Sequence, residues 1–381
     1  MNVVILRAFV LPAGGRQATK DLNRPVLHKF NLRRIVFSLH ARYKIVLSVD
    51  IATHALACFA LSRAFFPRRR WPLFFGMIIA GTLADIDFLS VLFGPAAYFA
   101  AHRTFTHSLP ALVVIVIVAS LFTRYFVSKQ PEPLPTLLLP LSIAGAFHIV
   151  LDLLQSEGVA ILWPVRPTRF AADWLPPIDP WILTLLILGC FLPEFFRLIT
   201  SEIGVKNKTP RGRNGALVAL SFLVVYIGAR ALLHSSSLAL LDPHSYARES
   251  AHKVGAYPDA LSPFTWHGVV ETQSLLCLAD VPTVFGRSFD PESAECLHKP
   301  EPSPELTAAQ KTDVAQAFIR AVPFPRAAVA KSQDGADVEL RSMRDVAEHE
   351  AAHRIGVRIT IDPKFAVSNE EYVWARELRL R

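Results

Sequence analysis

From Leu109 to Val127 the chain is Val/Ile-rich and carries no charge before Arg124. A helix of that length, at about 1.5 Å per residue, matches the hydrocarbon thickness of a bilayer. In hydrocarbon every backbone N–H and C=O must be paired within the segment or within a closed barrel, so a run of this kind folds as a spanning helix. Further apolar runs at 45–66, 71–93, 135–154, 178–200 and 214–234 predict an all-α polytopic membrane domain of about six transmembrane helices. The chain is 52% hydrophobic and 19% charged with a mean hydropathy of +0.33, too apolar for an ordinary soluble protein.

Composition changes on either side of the membrane domain, which is assigned to 45–234. Residues 1–44 form a basic tail (Arg7, Arg16, Lys20, Arg24, Arg33 and Arg34 among others) without the order of charge and apolar run that a signal peptide needs. From 235 to 381 charges become frequent and apolar runs shorten, which predicts a small soluble α+β domain. Within it 266–283 and 354–362 read as strands, and 305–321 has helical spacing. Net charge is +8, but the basic residues sit beside apolar runs, as at Arg68, Arg69 and Arg70. That is the habit of juxtamembrane anchors and argues against a nucleic-acid partner. Cys277 and Cys296 fall in the polar C-terminal region and can pair if it faces an oxidising compartment.

Against this apolar background the ionisable residues stand out. His54 lies near the start of the first run, Asp85 and Asp87 near the end of the second, His102, Arg103 and His107 just before the third, and His148 and Asp152 at the end of the fourth. If the spans alternate direction, all of these reach the same membrane face. Ionisable groups at membrane depth are costly unless paired, metal-bound or set in a polar cavity, so their convergence predicts one site. His148 and Asp152, at i and i+4, share a helix face. Asp85 and Asp87, two apart, can act together only where the helix has ended or unwound.

Imidazole and carboxylate without thiolate suit Zn²⁺ first, with Mn²⁺ or Fe²⁺ as alternatives, and the number of carboxylates allows one or two ions. The expected ligands are Asp85, Asp87, His102, His107, His148 and Asp152; His54 is a ligand or outer base, and Arg103 holds an anionic substrate group. Taken singly each residue has a plainer role. Thr106 and Ser108 read as helix caps, Asp179-Pro180 as a helix start, and His267, His298, His349 and His353 as solvated surface groups. Trp163 and Trp174 read as interfacial anchors, and the long loop 155–177 as site-forming.

The strings Asp50-Ile51-Ala52-Thr53-His54, Asp85-Ile86-Asp87, His102-Arg103-Thr104-Phe105-Thr106-His107-Ser108, His148 with Asp152, and Trp163-Pro164 followed by Asp179-Pro180 occur in series. In that order they resemble the YdjM-like family of membrane-bound, metal-dependent hydrolases of the inner membrane, over about 50–235. The motifs are also similar to those of zinc-dependent phospholipase C and single-strand nucleases of the phosphoesterase type. Ala84, Thr104 and Cys58 stand where the family usually has Pro, Gly and Gly, departures that touch turn geometry and packing rather than the polar centre. The resemblance implies a metal-dependent hydrolase with His54, Asp85, Asp87, His102, His107, His148 and Asp152 at its centre.

The sequence therefore leads to an enzyme that uses a divalent metal to activate water against an ester, with a phosphoester of a lipid or envelope precursor as the best-fitting substrate. A metal-ion transporter or sensor is the first rival, but the opposite ends of the spans carry Arg63, Arg68 to Arg70 and Arg124, a poor cation route. A non-catalytic scaffold is the second. By the positive-inside rule these basic loops are cytoplasmic and the site periplasmic, in a bacterial inner membrane. The tail 1–44 contradicts that orientation unless translation starts near Val49, which is the expectation.

Overall fold

The computed structural model describes residues 51–66, 71–128, 133–202, 212–283, 289–344 and 355–374. The basic tail, the expected start near Val49, His349 and His353 lie outside the described residues. Among the described residues four helices are long and apolar enough to cross a membrane: Leu109–Val127, Leu134–Leu154, Pro180–Ile199 and Arg213–Leu241. Trp71–Ala80 and Leu83–Phe93 make a fifth crossing if taken together, bent by 41°. Ile51–Phe65 is apolar but shorter than a full crossing. Against the expected six spans, the described residues therefore hold four to five, because the second run is broken by the bend and the helix of the first is short.

In chain order the helices are α1 (Ile51–Phe65), α2 (Trp71–Ala80), a 3-10 helix (Leu83–Phe93), α3 (Pro95–Ala101), α4 (Leu109–Phe122, with a π turn through Val127), α5 (Leu134–Leu154), α6 (Pro180–Glu202) and α7 (Arg213–Leu241). Small residues line their contacts: Ala57, Ala60, Ala64 and Ala216 are buried against Leu186 and Leu223, and Ala80, Ala119 and Ala144 against Met77 and Leu141. Close approach of backbones is what apolar solvent leaves as a driving force between helices, since burial against lipid-like side chains is no gain. The bend after α2 sits at Gly81, where a Cβ would collide with Cys58 Sγ on α1. Past it the chain tightens into the 3-10 helix that carries Asp85 and Asp87.

α7 does not stop at 234. It continues to Leu241, whose side chain enters the core of the C-terminal region with Tyr246, Trp266, Val270 and Cys277. After a two-stranded turn, β1 (Ser245–Tyr246) and β2 (Glu249–Ser250), a four-stranded antiparallel meander follows: β3 (Lys253–Pro258), β4 (Thr265–Glu271), β5 (Leu275–Pro282) and β6 (Glu295–His298). The strand expected over 266–283 is therefore a hairpin of β4 and β5, turned at Thr272–Ser274. Cys277 and Cys296 are register partners on β5 and β6 and form a disulfide.

The helix expected over 305–321 is two helices, α8 (Pro304–Gln310) and α9 (Asp313–Ala321). Each has its own N-cap, Ser303 accepting from Leu306 N and Thr312 from Ala315 N, and the second cap is what divides them. A second antiparallel meander closes the region: β7 (Pro325–Ser332), β8 (Gly335–Ser342), β9 (Ile355–Ile361) and β10 (Val367–Trp374), in the order β10-β9-β8-β7. β8 shows the alternation of buried Ala336, Val338, Leu340 and Ser342 with outward residues that a one-sided sheet requires.

The C-terminal sheets rest on the membrane helices at the face where α1 begins and α5 ends. Phe99 on α3 meets Phe318 on α9 edge to face at 4.9 Å. Arg344 Nη1 donates to Ser156 O at 2.8 Å, and Arg169 Nη1 to Ala321 O at 3.4 Å.

Candidate metal centre

Four separate segments deliver polar groups to this face. α1 brings His54, the 3-10 helix brings Asp85 and Asp87, the loop between α3 and α4 brings His102 to Ser108, and the last turn of α5 brings His148 and Asp152. The loop is held in shape from within. Arg103 has φ 54°, a left-handed conformation that turns the chain sharply, and Ser108 caps α4 by accepting from Ala111 N. Thr106, read from sequence as another cap, instead donates its hydroxyl to Asp87 Oδ2.

Ligand atoms of Asp85, His107, His148 and Asp152 all lie within 4.8 Å of one another. His107 Nε2 and His148 Nε2 are 3.2 Å apart, each is 3.1 Å from Asp152 Oδ2, and each is 3.7 Å from Asp85 Oδ1. A tetrahedron with metal–ligand bonds of about 2.0–2.1 Å has edges of about 3.3–3.4 Å. The observed separations bracket that value. Asp85 Oδ2 is buried with no hydrogen-bond partner among the described residues, and the buried Asp152 oxygens face His54, Arg103, His107 and His148 at 3.1–3.4 Å. Two carboxylates and two imidazole nitrogens facing one another in a buried space, short of hydrogen bonds, fit a divalent cation; the residues present are the right donors at the right spacing.

Around the four stands a ring of supporting groups. Asp87 is fully occupied: its Oδ2 accepts from Arg103 N at 2.8 Å and faces His107 Nδ1 at 3.1 Å, while its Oδ1 accepts from His102 Nδ1 at 3.0 Å. Asp87 therefore bridges His102 and the far edge of His107, outside the four-atom group. His54 Nε2 is 3.3 Å from Asp152 Oδ1, the oxygen turned away from the cluster, and its ring lies 4.1 Å from that of His148. Arg103, expected to hold a substrate anion, directs its guanidinium to protein acceptors: Nη2 to Gln155 Oε1 at 2.7 Å and Asp152 Oδ1 at 3.4 Å, Nε to Glu157 Oε2 at 3.2 Å.

Gln155, Glu157 and Tyr98 were not singled out from sequence. Glu157 meets Arg103 and lies 3.8 Å from His102 Nε2, and Tyr98 stacks on His102 at 4.9 Å. Burial opposes charge on Glu157, but the Arg103 guanidinium, His102 and Arg344 together hold the carboxyl well below its usual range. Burial likewise opposes charge on His102, and the Asp87 and Glu157 carboxylates together raise the imidazole. The length of the loop 155–177 was the one signal pointing to Gln155 and Glu157.

Other residues settle differently. Asp179 starts α6 as expected, Oδ1 accepting from Trp181 N and Ile182 N, and its Oδ2 accepts from Tyr226 at 2.8 Å, away from the cluster. His298 is exposed, but His267, expected at the solvated surface, is buried on β4 between Asp280 at 2.9 Å and Asp259 at 3.4 Å. β4 is buried without alternation from Trp266 to Val270, and His267 lies on it between its register partner Asp280 on β5 and Asp259.

A bundle of spanning helices with a buried His/Asp group able to hold a cation defines a polytopic membrane protein with a candidate metal centre. Residues 49–236 match the family described as YdjM inner membrane protein. That segment is thus similar to the YdjM inner membrane protein family, as the motifs implied. No curated protein and no solved structure matches it.

Proposed function

We propose that the protein is an integral-membrane hydrolase that uses one divalent cation, Zn²⁺ first among the choices, held by Asp85, His107, His148 and Asp152. The observation that carries this reading is the convergence of those four ligand atoms, from three separate segments, within 4.8 Å of one another. A cation bound there supplies Lewis acidity and makes water ionise nearer neutral pH. The chain's own residues do the rest. Asp87 accepts a hydrogen bond from the protonated Nδ1 of His107, which leaves the Nε2 lone pair facing the cluster. His54 and Arg103 hold Asp152 Oδ1 and so aim Oδ2 inward. In this role Arg103 positions a ligand rather than a substrate, and His102 fixes Asp87.

The substrate we infer is an anionic ester of a membrane-borne molecule, since the cluster lies at the ends of spanning helices. The disulfide supports an oxidising compartment for the C-terminal domain and hence the periplasmic face for the site, in agreement with the basic loops at the other ends of the spans. The test is metal content of purified protein together with hydrolysis of a bis(4-nitrophenyl) phosphate ester. Both should fall by ten-fold or more in His107→Ala and His148→Ala, the usual scale for loss of a metal-site group. Unchanged metal content in both variants would remove the proposal.

A further inference from the structure

The loop joining β3 to β4, Asp259 to Phe264, exposes two large apolar side chains at its tip: Leu261 is 79% exposed and Phe264 58%. Flexible polar loops expose small residues, whereas this one is both apolar and braced. Asp259 Oδ1 accepts from Leu261 N at 2.8 Å and Ser262 N at 2.7 Å, and Thr265 Oγ1 donates to Ser262 Oγ. A rigid turn that holds Leu and Phe outward is built to meet something apolar.

Two spanning helices fix the level of this loop. Trp181, in the first turn of α6, donates its indole N–H to Leu261 O at 3.0 Å. The apolar stretch Pro180–Ile199 that begins there is about as long as the hydrocarbon core is thick, so its first turn lies at the boundary of that core. Independently, Arg230 on α7 donates to Pro263 O at 2.6 Å and to Trp174 O at 3.1 Å. α7 is longer than a crossing needs, and the link from Tyr226 to Asp179 puts this part of it level with the start of α6. Trp181 itself is half exposed, the usual state of an indole at the headgroup level.

We propose that the β3–β4 loop is a membrane-inserting wedge, with Leu261 and Phe264 seated in the lipid interface beside the first turn of α6. Its partner is the bilayer. The soluble-looking C-terminal domain is then attached to the membrane at a second point besides α7, and its orientation over the polar cluster is set by lipid as well as by protein contacts. This does not depend on the reading of the cluster as a hydrolase.

The full-length protein, with Cys58 and Cys190 replaced by alanine, is labelled with an environment-sensitive fluorophore at L261C, F264C and, as a control on the β7–β8 turn, D334C. It is reconstituted into phosphatidylcholine vesicles with or without nitroxide on the acyl chains. Labels at 261 and 264 should show blue-shifted emission that is lost to the acyl-chain nitroxide and unaffected by aqueous iodide; the label at 334 should show the reverse. Iodide quenching of 261 and 264 equal to that of 334 would overturn the wedge. If L261C fails to fold, F264C alone decides between the same two outcomes.

Discussion

Asp87 Oδ2 lies 3.1 Å from Nδ1 of His107, on the opposite side of the imidazole from the four-atom cluster. Asp85, two residues earlier, lies 3.7 Å from Nε2 of the same ring. The two carboxylates thus flank His107, one facing the candidate ligand atom and the other fixing the proton on its far nitrogen. A 3-10 helix with three residues per turn makes this possible, since residues two apart leave it in different directions.

Asp87→Asn tests that division. The amide keeps the volume but offers one acceptor where the carboxylate offered two, and the Nδ1 proton of His107 loses its charged partner. Metal affinity should fall by about 10–100-fold while Asp85, His107, His148 and Asp152 are intact. Competition with a chromogenic chelator measures it. Equal affinities for variant and parent would return Asp87 to a packing role.

Removal of the cation gives a second expectation. Ligand that binds the folded state alone stabilises it by about 2.7 kcal/mol at a hundred-fold excess over Kd. Chelation should therefore lower the apparent Tm, restored by Zn²⁺ in a concentration-dependent way. His148→Ala should already sit at the chelated value and respond to neither treatment; a full chelator response in that variant would place the ion elsewhere.

How much of this could be read from the chain depended on the type of signal. The spanning helices were legible because twenty apolar residues admit few alternatives, and the polar centre was legible because His and Asp are costly in such runs. The bend at Gly81 was not, since it arises from contact with Cys58 on another helix. Nor were Gln155 and Glu157, ordinary polar residues in a loop until Arg103, buried across from them, gives them a charge to meet. In the C-terminal region the β4–β5 hairpin merged into one strand, because its turn, Thr272-Gln273-Ser274, has neither Gly nor Pro. There Thr272 and Ser274 side chains bond Glu249 on β2, a partner far off in sequence.

Arg344→Ala should loosen the C-terminal domain. Its guanidinium, buried, donates to Ser156 O at 2.8 Å next to Glu157 in the site loop. Loss of a buried charged donor costs about 1–3 kcal/mol and leaves that carbonyl unpaired. Hydrogen exchange should rise in residues 155–160 and in β8 together, without loss of bound metal. Exchange unchanged in both segments would show that this contact does not seat the domain.

Asp173 carries a pH signature. It has φ 58°, and burial pushes its carboxyl up to about 6, only partly relieved by Arg344 and Lys253. The folded state therefore binds this proton more tightly than the unfolded chain, whose carboxyl titrates near 3.9. Stability contributed by this residue is greatest below the unfolded value and is lost as pH rises to about 6. Asp173→Asn, which tolerates the same left-handed backbone, should raise the free energy of unfolding at pH 7.5 by an amount on the order of 2 kcal/mol, seen as a higher apparent Tm, with the gain vanishing near pH 4. A gain independent of pH would mean that the charge is not the cause.

The disulfide and the orientation of the chain can be tested in one experiment. Cys277 and Cys296 face each other across β5 and β6, whereas Cys58 and Cys190 are buried among membrane helices. If the domain faces the periplasm, a thiol-reactive polymer added to denatured membranes from cells quenched with acid at harvest should shift the chain by two units before reduction and four after. The same protein made with its C-terminal domain retained in a reducing compartment should shift by four at once. Reporter fusions after Arg381 should be active in the periplasm alone. Four reactive thiols before reduction in the denatured membranes, with a reporter active only in the cytoplasm, would invert the molecule and place the site on the cytoplasmic face. The cluster itself would be untouched, since nothing in its geometry depends on which side of the bilayer it meets.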